Sequence, residues 1–211
     1  MAPKKNKQPA KAARRPATPK ATPAVPAAPA APAAPAAPAP GSRNSREPVD
    51  LSKALLHAWR VNERINQELL KLVAPHIWRA FPQSSKRRNI ATSFAHIHNV
   101  RCMRLKMSRT TVPVPERLDR AEITPDDARK ALAESAAAMA SLIQLSLETG
   151  GHVPNYTPDV INMVCWAMTH EAHHRGQISH WCRELGVPIT AEQSLVMWEW
   201  DKLHKQVNRD S

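Results

Sequence analysis

The sequence predicts an all-α protein: an antiparallel four-helix bundle with an additional C-terminal helix, preceded by a disordered Pro/Ala/Lys-rich tail. Three observations lead there. From Asp50 onward the apolar residues recur at helical spacing. Cap and stop signals divide that stretch into long segments joined by loops of differing length, the pattern of a bundle. No run of residues reads as a β-strand.

The tail comes first in the chain, over residues 1–48. Its first 46 residues hold nine Lys or Arg and no acid, which leaves 21 basic against 18 acidic residues for the rest, so most of the formal charge of +12 belongs to the tail. From Pro26 to Pro38 a proline stands at every third position. That is the polyproline II period, an extended rod with no apolar core. It also rules out the uninterrupted apolar run of a secretory signal, and no other window is apolar enough to span a membrane. Three cysteines (Cys102, Cys165, Cys182), odd in number and in no CxxC pair, suit a reducing, cytoplasmic setting. A basic arm of this kind could neutralise phosphates of nucleic acid nonspecifically, although it carries no interleaved aromatic residues for stacking on bases.

The helical domain is expected over residues 49–208. Helix 1 runs from about Leu51 to Val73 behind the N-cap Asp50. Helix 2 runs from about Lys86 to Met107. Helix 3 opens on "TPDD", with Thr124 as cap, Pro125 in the first turn and two acids facing the positive end of the helix dipole; it closes at Gly150 and Gly151. The same reading opens helix 4 on "TPD" at Thr157 and ends it at "LGVP", with Gly186 as the left-handed cap. Helix 5 starts on the capping box "TAEQ" at Thr190 and continues to about Val207. In it Trp198 and Trp200 fall on different faces, so that one would pack on the bundle and the other could meet a second subunit in a homodimer.

The chemistry concentrates in helix 4, in "THEAHHRGQISH". At about 100° per residue, His170, His174 and Gln177 share one apolar stripe with Met163, Trp166 and Trp181, whereas Glu171 and Arg175 turn away from its centre. Two imidazoles one turn apart in an apolar groove need partners, and a metal ion would serve both. They supply only two of the three or four ligands such a site requires. Helix 2 offers a third in "SFAHIHNVR", where His96 and His98 lie about 160° apart and phasing does not choose between them. Read literally, His170, Glu171 and His174 also spell the zinc-peptidase string HExxH. That mechanism needs a substrate strand held against a sheet edge and a Glu aimed at the metal, and the sequence offers neither. Gly176, in mid-helix at a cost of about 1 kcal/mol, suggests close approach of a neighbouring helix or ligand.

"HEAHHRGQISHWCRELGVP", preceded by "FAHIHNVR" and followed by "MWEWDKL", resembles the DinB/YfiT-like superfamily of bacterial metal-binding four-helix bundles over about residues 51–205. The resemblance implies a divalent metal, Ni, Zn, Fe or Mn, on His96, His170 and His174, with His98 left as a packed core residue and at least one coordination position open. Gln177, one turn beyond His174, is then the residue expected to orient a ligand or a bound water. Thiol-dependent S-transferases and isomerases occur among such proteins, along with proposed hydrolases. The partners implied are a low-molecular-weight thiol and a small electrophile, and the sequence itself names no catalytic acid or base.

Overall fold

The computed structural model describes residues 48–209, so the tail expected over 1–48 lies, but for its last residue, outside the described residues. Four long helices carry the fold: α1 (Leu51–Leu72), α2 (Ile90–Ser108), α3 (Pro125–Glu148) and α4 (Val160–Glu184), followed by the short α5 (Ala191–Ser194) and by α6 (Trp200–Arg209). Among the described residues there is no strand, only an isolated bridge between Val153 and Tyr156. None of these helices is long and apolar enough to cross a membrane.

The caps account for most boundaries. Asp50 accepts the Ser52 and Lys53 amides, and Thr124 forms a reciprocal capping box with Asp127. Gly151 at φ +82° and Gly186 at φ +78° take the left-handed turns that close α3 and α4. Three expectations need correction. Helix 2 starts four residues late because Asn89 caps it in a box with Thr92. In helix 4 the "TPD" does not repeat the helix 3 start: Asp159, not Thr157, caps it, after a cis Thr157–Pro158 bond. The single helix expected from Thr190 to Val207 is broken by a 3₁₀ turn at Leu195–Met197. Through that break Met197 reaches the core beside α1 and α4, while Leu203 and Val207 pack on Val61 of α1. Trp198 and Trp200 are both exposed, so neither is the bundle anchor that the sequence suggested.

Side-chain pairings also fix the helix directions. Trp59 bonds Ala136 and Gln67 bonds Arg129, so α1 and α3 oppose one another. His96 meets His174 while Arg104 meets Trp166, so α2 and α4 do too. Yet His98 bonds Ala131 and Arg101 reaches Ser135, so α2 and α3 run the same way. The expected all-antiparallel bundle is corrected there. The physical reason is the segment 109–124, which runs back along α2, presenting Glu116 O to His98 and Leu118 to Asn99. Extended at about 3.3 Å per residue, it easily outreaches a 19-residue helix of about 28 Å.

Two apolar clusters fill the bundle. One gathers Leu69, Ile90, Phe94, Ile97, Leu132, Ile178 and Trp181; the other gathers Trp59, Leu105, Met139, Leu142, Met163 and Val164. On every long helix, buried polar residues stand between the two sets: Asn62 and Asn66, His98 and Arg101, Ser135, Glu171 and His174. A polar belt therefore crosses the bundle at mid-height.

Candidate metal centre

The belt is organised around an ion pair. The Arg101 guanidinium grips Glu171 with both arms (Nε to Oε1 2.7 Å, Nη2 to Oε2 2.8 Å), and its third nitrogen donates to Leu132 O at 2.9 Å. Asn62 and Asn66 donate to the same carboxylate at 2.6 and 2.7 Å, while their oxygens accept from Arg175. Glu63 Oε2 stands 2.8 Å from Arg101 Nη2 and adds a second carboxylate to the pair. Burial alone would raise the Glu171 pKa, but Arg101 and the two amides outweigh it and hold the carboxyl below its usual range. All four long helices contribute to this knot, which sets the rotation of α4 about its axis.

That rotation places the histidines. Glu171 is 1 % exposed and turned into the core, not away from it as the helical phasing suggested; His170 and Gln177 are only half-buried at the edge of the buried face, and His174 is buried. Glu171 engages Arg101, and among the described residues no sheet edge lies beside α4, so the peptidase spelling has no counterpart in the geometry. From α2 it is His96 that reaches the pair on α4: its Nε2 lies 3.3 Å from His170 Nε2, which lies 3.1 Å from His174 Nε2. His98 points elsewhere, with both ring nitrogens 2.8 Å from backbone carbonyls of Ala131 and Glu116. Gly176 is exposed, and nothing comes within 4 Å of the position a Cβ would take, so the close approach expected there is absent.

The three rings offer ligand atoms within 4.8 Å of one another and could hold a metal ion. Nitrogens bound to one zinc-type ion at about 2.0–2.1 Å sit roughly 3–3.5 Å apart, the spacing seen around His170. Proton placement supports the fit at one ring and resists it at another. His174 Nδ1 donates to Gln177 Oε1 at 2.9 Å, which leaves its Nε2 as a bare lone pair turned inward. Arg120, which can only donate, faces His96 Nδ1 at 3.2 Å, so that ring in its neutral form carries its proton on Nε2. Loading an ion on His96 Nε2 would move that proton to Nδ1 and turn the exposed Arg120 outward. On the far side Trp166 stacks on His170 at an interplanar angle of 13°, and Arg104 lies over the rings of Tyr156 and Trp166.

Burial pushes the His96 and His174 pKa values down to about 4, with the neighbouring histidines and Arg88 adding to it and the Gln177 bond opposing it at His174. Burial, partly offset by Glu171, lowers His170 as well. The rings are therefore neutral at pH 7 and able to act as ligands. A stability consequence follows for chelator-treated protein. Below the ordinary histidine value of 6.5 the unfolded chain takes up protons that the folded rings refuse, so this contribution is fully present above pH 6.5 and is lost as pH falls toward about 4. Thermal unfolding should show the midpoint declining across that window, and a His96→Gln/His174→Gln variant should show a flatter profile there.

Two of the three rings, His96 and His174, line a cavity of about 480 Å³ together with Arg79, Arg87, Arg88, Arg120 and the helix-capping Asn89. The helical phasing put His170, His174 and Gln177 along one stripe of α4; it could not find these arginines, three of which come from the connection before α2 and one from segment 109–124, or the Arg101 knot, whose only sequence signal is an arginine amid apolar neighbours on α2.

The model of the DinB family matches residues 48–201. No curated protein and no solved structure matches the chain.

Proposed function

We propose a metal-dependent reaction for this chain, which belongs to the DinB family: His96, His170 and His174 hold a divalent ion, and the site directs a thiol or water at a small electrophile. The observation that carries the reading is the convergence of three neutral imidazoles, two of them one turn apart on α4, on a point that opens to a cavity. A closed structural site would use four protein ligands, whereas three with an open side is the catalytic pattern. The bound ion would supply Lewis acidity, making a thiol or water more acidic near neutral pH.

The chain's own groups do the rest. Gln177 keeps the His174 proton on Nδ1 and its Nε2 turned inward. The Trp166 ring fixes the plane of His170. The cysteines do not line the cavity, and burial pushes Cys102 and Cys182 upward, Cys182 to about 11. A thiol acting here therefore comes from outside the chain. S-transfer is favoured over hydrolysis as the reaction type, because among the described residues no carboxylate lines the cavity to serve as a base for water.

Elemental analysis of the purified chain should return one Ni, Zn, Fe or Mn per molecule. After exchange with cobalt, addition of glutathione should produce a thiolate-to-cobalt charge-transfer band. Stoichiometric metal without that band would exclude the thiol; no metal at all would end the reading.

A further inference from the structure

The cavity over the histidines is basic out of proportion to its size. Among the described residues four arginines line it, no acidic side chain does, and no carboxylate forms an ion pair with any of the four. They do not behave alike. Arg79 is tied down, donating to the Ala121 carbonyl and to Ile123 O at 3.0 Å, so its charge is fixed at the wall. Arg120 rests on His96. Among the described residues the side chains of Arg87 and Arg88 have no ion-pair partner, and the Arg88 backbone amide donates to Ser85 Oγ. Like charges gathered in one concavity repel one another, and a bound anion relieves that repulsion while offering a planar partner for the guanidinium fork.

We propose that this cavity is an oxyanion subsite in which Arg88 and Arg120, backed by Arg79, take the carboxylate or phosphate group of a small acidic substrate and hold it against His96 and His174. A volume of about 480 Å³ suits a small molecule and not a polymer. The exposed ring of Phe81 at the same cavity provides an apolar wall for the uncharged part of that molecule. The subsite also explains the contact that resists metal loading. An anion drawing Arg120 off His96 Nδ1 frees that nitrogen to carry the ring proton, which leaves Nε2 open. The anion site deepens the metal reading by naming the substrate's charge, but it is built by the arginines and stands without the ion.

The test uses the full chain labelled with ¹⁵N, reading the histidine ring signals while sodium phosphate or sodium succinate replaces sodium chloride at constant ionic strength. Only ring signals are scored, so binding of the probes elsewhere on the chain does not count. The His96 and His174 signals should move saturably with at least one probe, and those of His57 and His204 should not. Which probe saturates at the lower concentration tells phosphate from carboxylate. In an Arg88→Gln/Arg120→Gln variant the dissociation constant should rise at least tenfold. Both side chains are exposed, so the fold is expected to survive, and the wild-type titration stands by itself if it does not. No saturable movement with either probe, or an unchanged constant in the variant, would overturn the proposal. Repeating the titration after chelator treatment separates the two ideas. The chelated chain should still bind the anion; a chain that binds the anion but takes up no added metal refutes the metal centre alone, and a stoichiometric metal with no anion response refutes the oxyanion subsite alone.

Discussion

Replacing Arg101 with methionine is expected to lower the stability of the folded chain by about 3–5 kcal/mol at neutral pH, the usual consequence of breaking a buried ion pair from one side. Arg101 is 2 % exposed and Glu171 1 %, so neither charge has water to fall back on. Without the guanidinium, the Glu171 carboxylate keeps two amide donors but no cation in contact, and Glu63 faces it across the vacated space. At about 2–4 °C per kcal/mol for a domain of this size, the melting temperature should drop by roughly 6–20 °C.

The pH dependence distinguishes this cause from simple loss of packing. In the variant, burial without a cation raises the folded-state pKa of Glu171 above its unfolded value, so the folded chain binds the extra proton and the deficit should shrink as pH falls from 7 toward 5. A cavity alone would give a deficit independent of pH. Urea unfolding at the two pH values reads the difference. An Arg101→Met/Glu171→Leu pair should cost less than the two single changes added together. If Arg101→Met is as stable as the parent at pH 7, the knot does not hold the bundle.

How far the sequence carried these conclusions depends on range. Local signals were legible: the capping residues Asp50 and Thr124 and the left-handed Gly186 are each decided by a few neighbouring atoms, and the structure places them as expected. The α4 pair was legible for the same reason, because i and i+4 share a face on any helix. What failed needed partners distant in sequence. Phasing put Glu171 off the apolar stripe because Trp166, which is exposed, drew the centre of that stripe to its own side; it could not know that Arg101, from another helix, makes the Glu171 carboxylate a core residue. His96 and His98 were indistinguishable by phase, and the structure separates them through segment 109–124, whose carbonyl at Glu116 occupies His98. The same segment, by running back along α2, brings Arg120 to His96. The direction of α3 and the arrival of Arg120 at the cavity are thus one topological fact, set by the reach of a loop that carries no helical period to read.

The largest functional effect should come from the histidines, and the three residues of α4 involved should not behave alike. His170 is central: its Nε2 is the atom within 3.3 Å of His96 and 3.1 Å of His174, so His170→Ala leaves two ligands with nothing between them. Metal content should fall below about a tenth of an equivalent, since three protein ligands is already the minimum for a site that keeps an open position. His174→Ala should do the same, and the double variant should carry none. Gln177→Ala removes no ligand. It frees the His174 proton to move between the two nitrogens, so affinity should weaken by about 10–100-fold while excess metal still fills the site. Chelator competition measures the gradation, and elemental analysis measures the content. The Glu171 knot, one residue from His170, holds α4 in place independently of the rings, so these variants should still fold. Full metal content in the His170→Ala/His174→Ala variant would place the ion elsewhere. Equal losses in Gln177→Ala and His170→Ala would mean that Gln177 binds the ion directly, through an oxygen now turned toward His174 Nδ1.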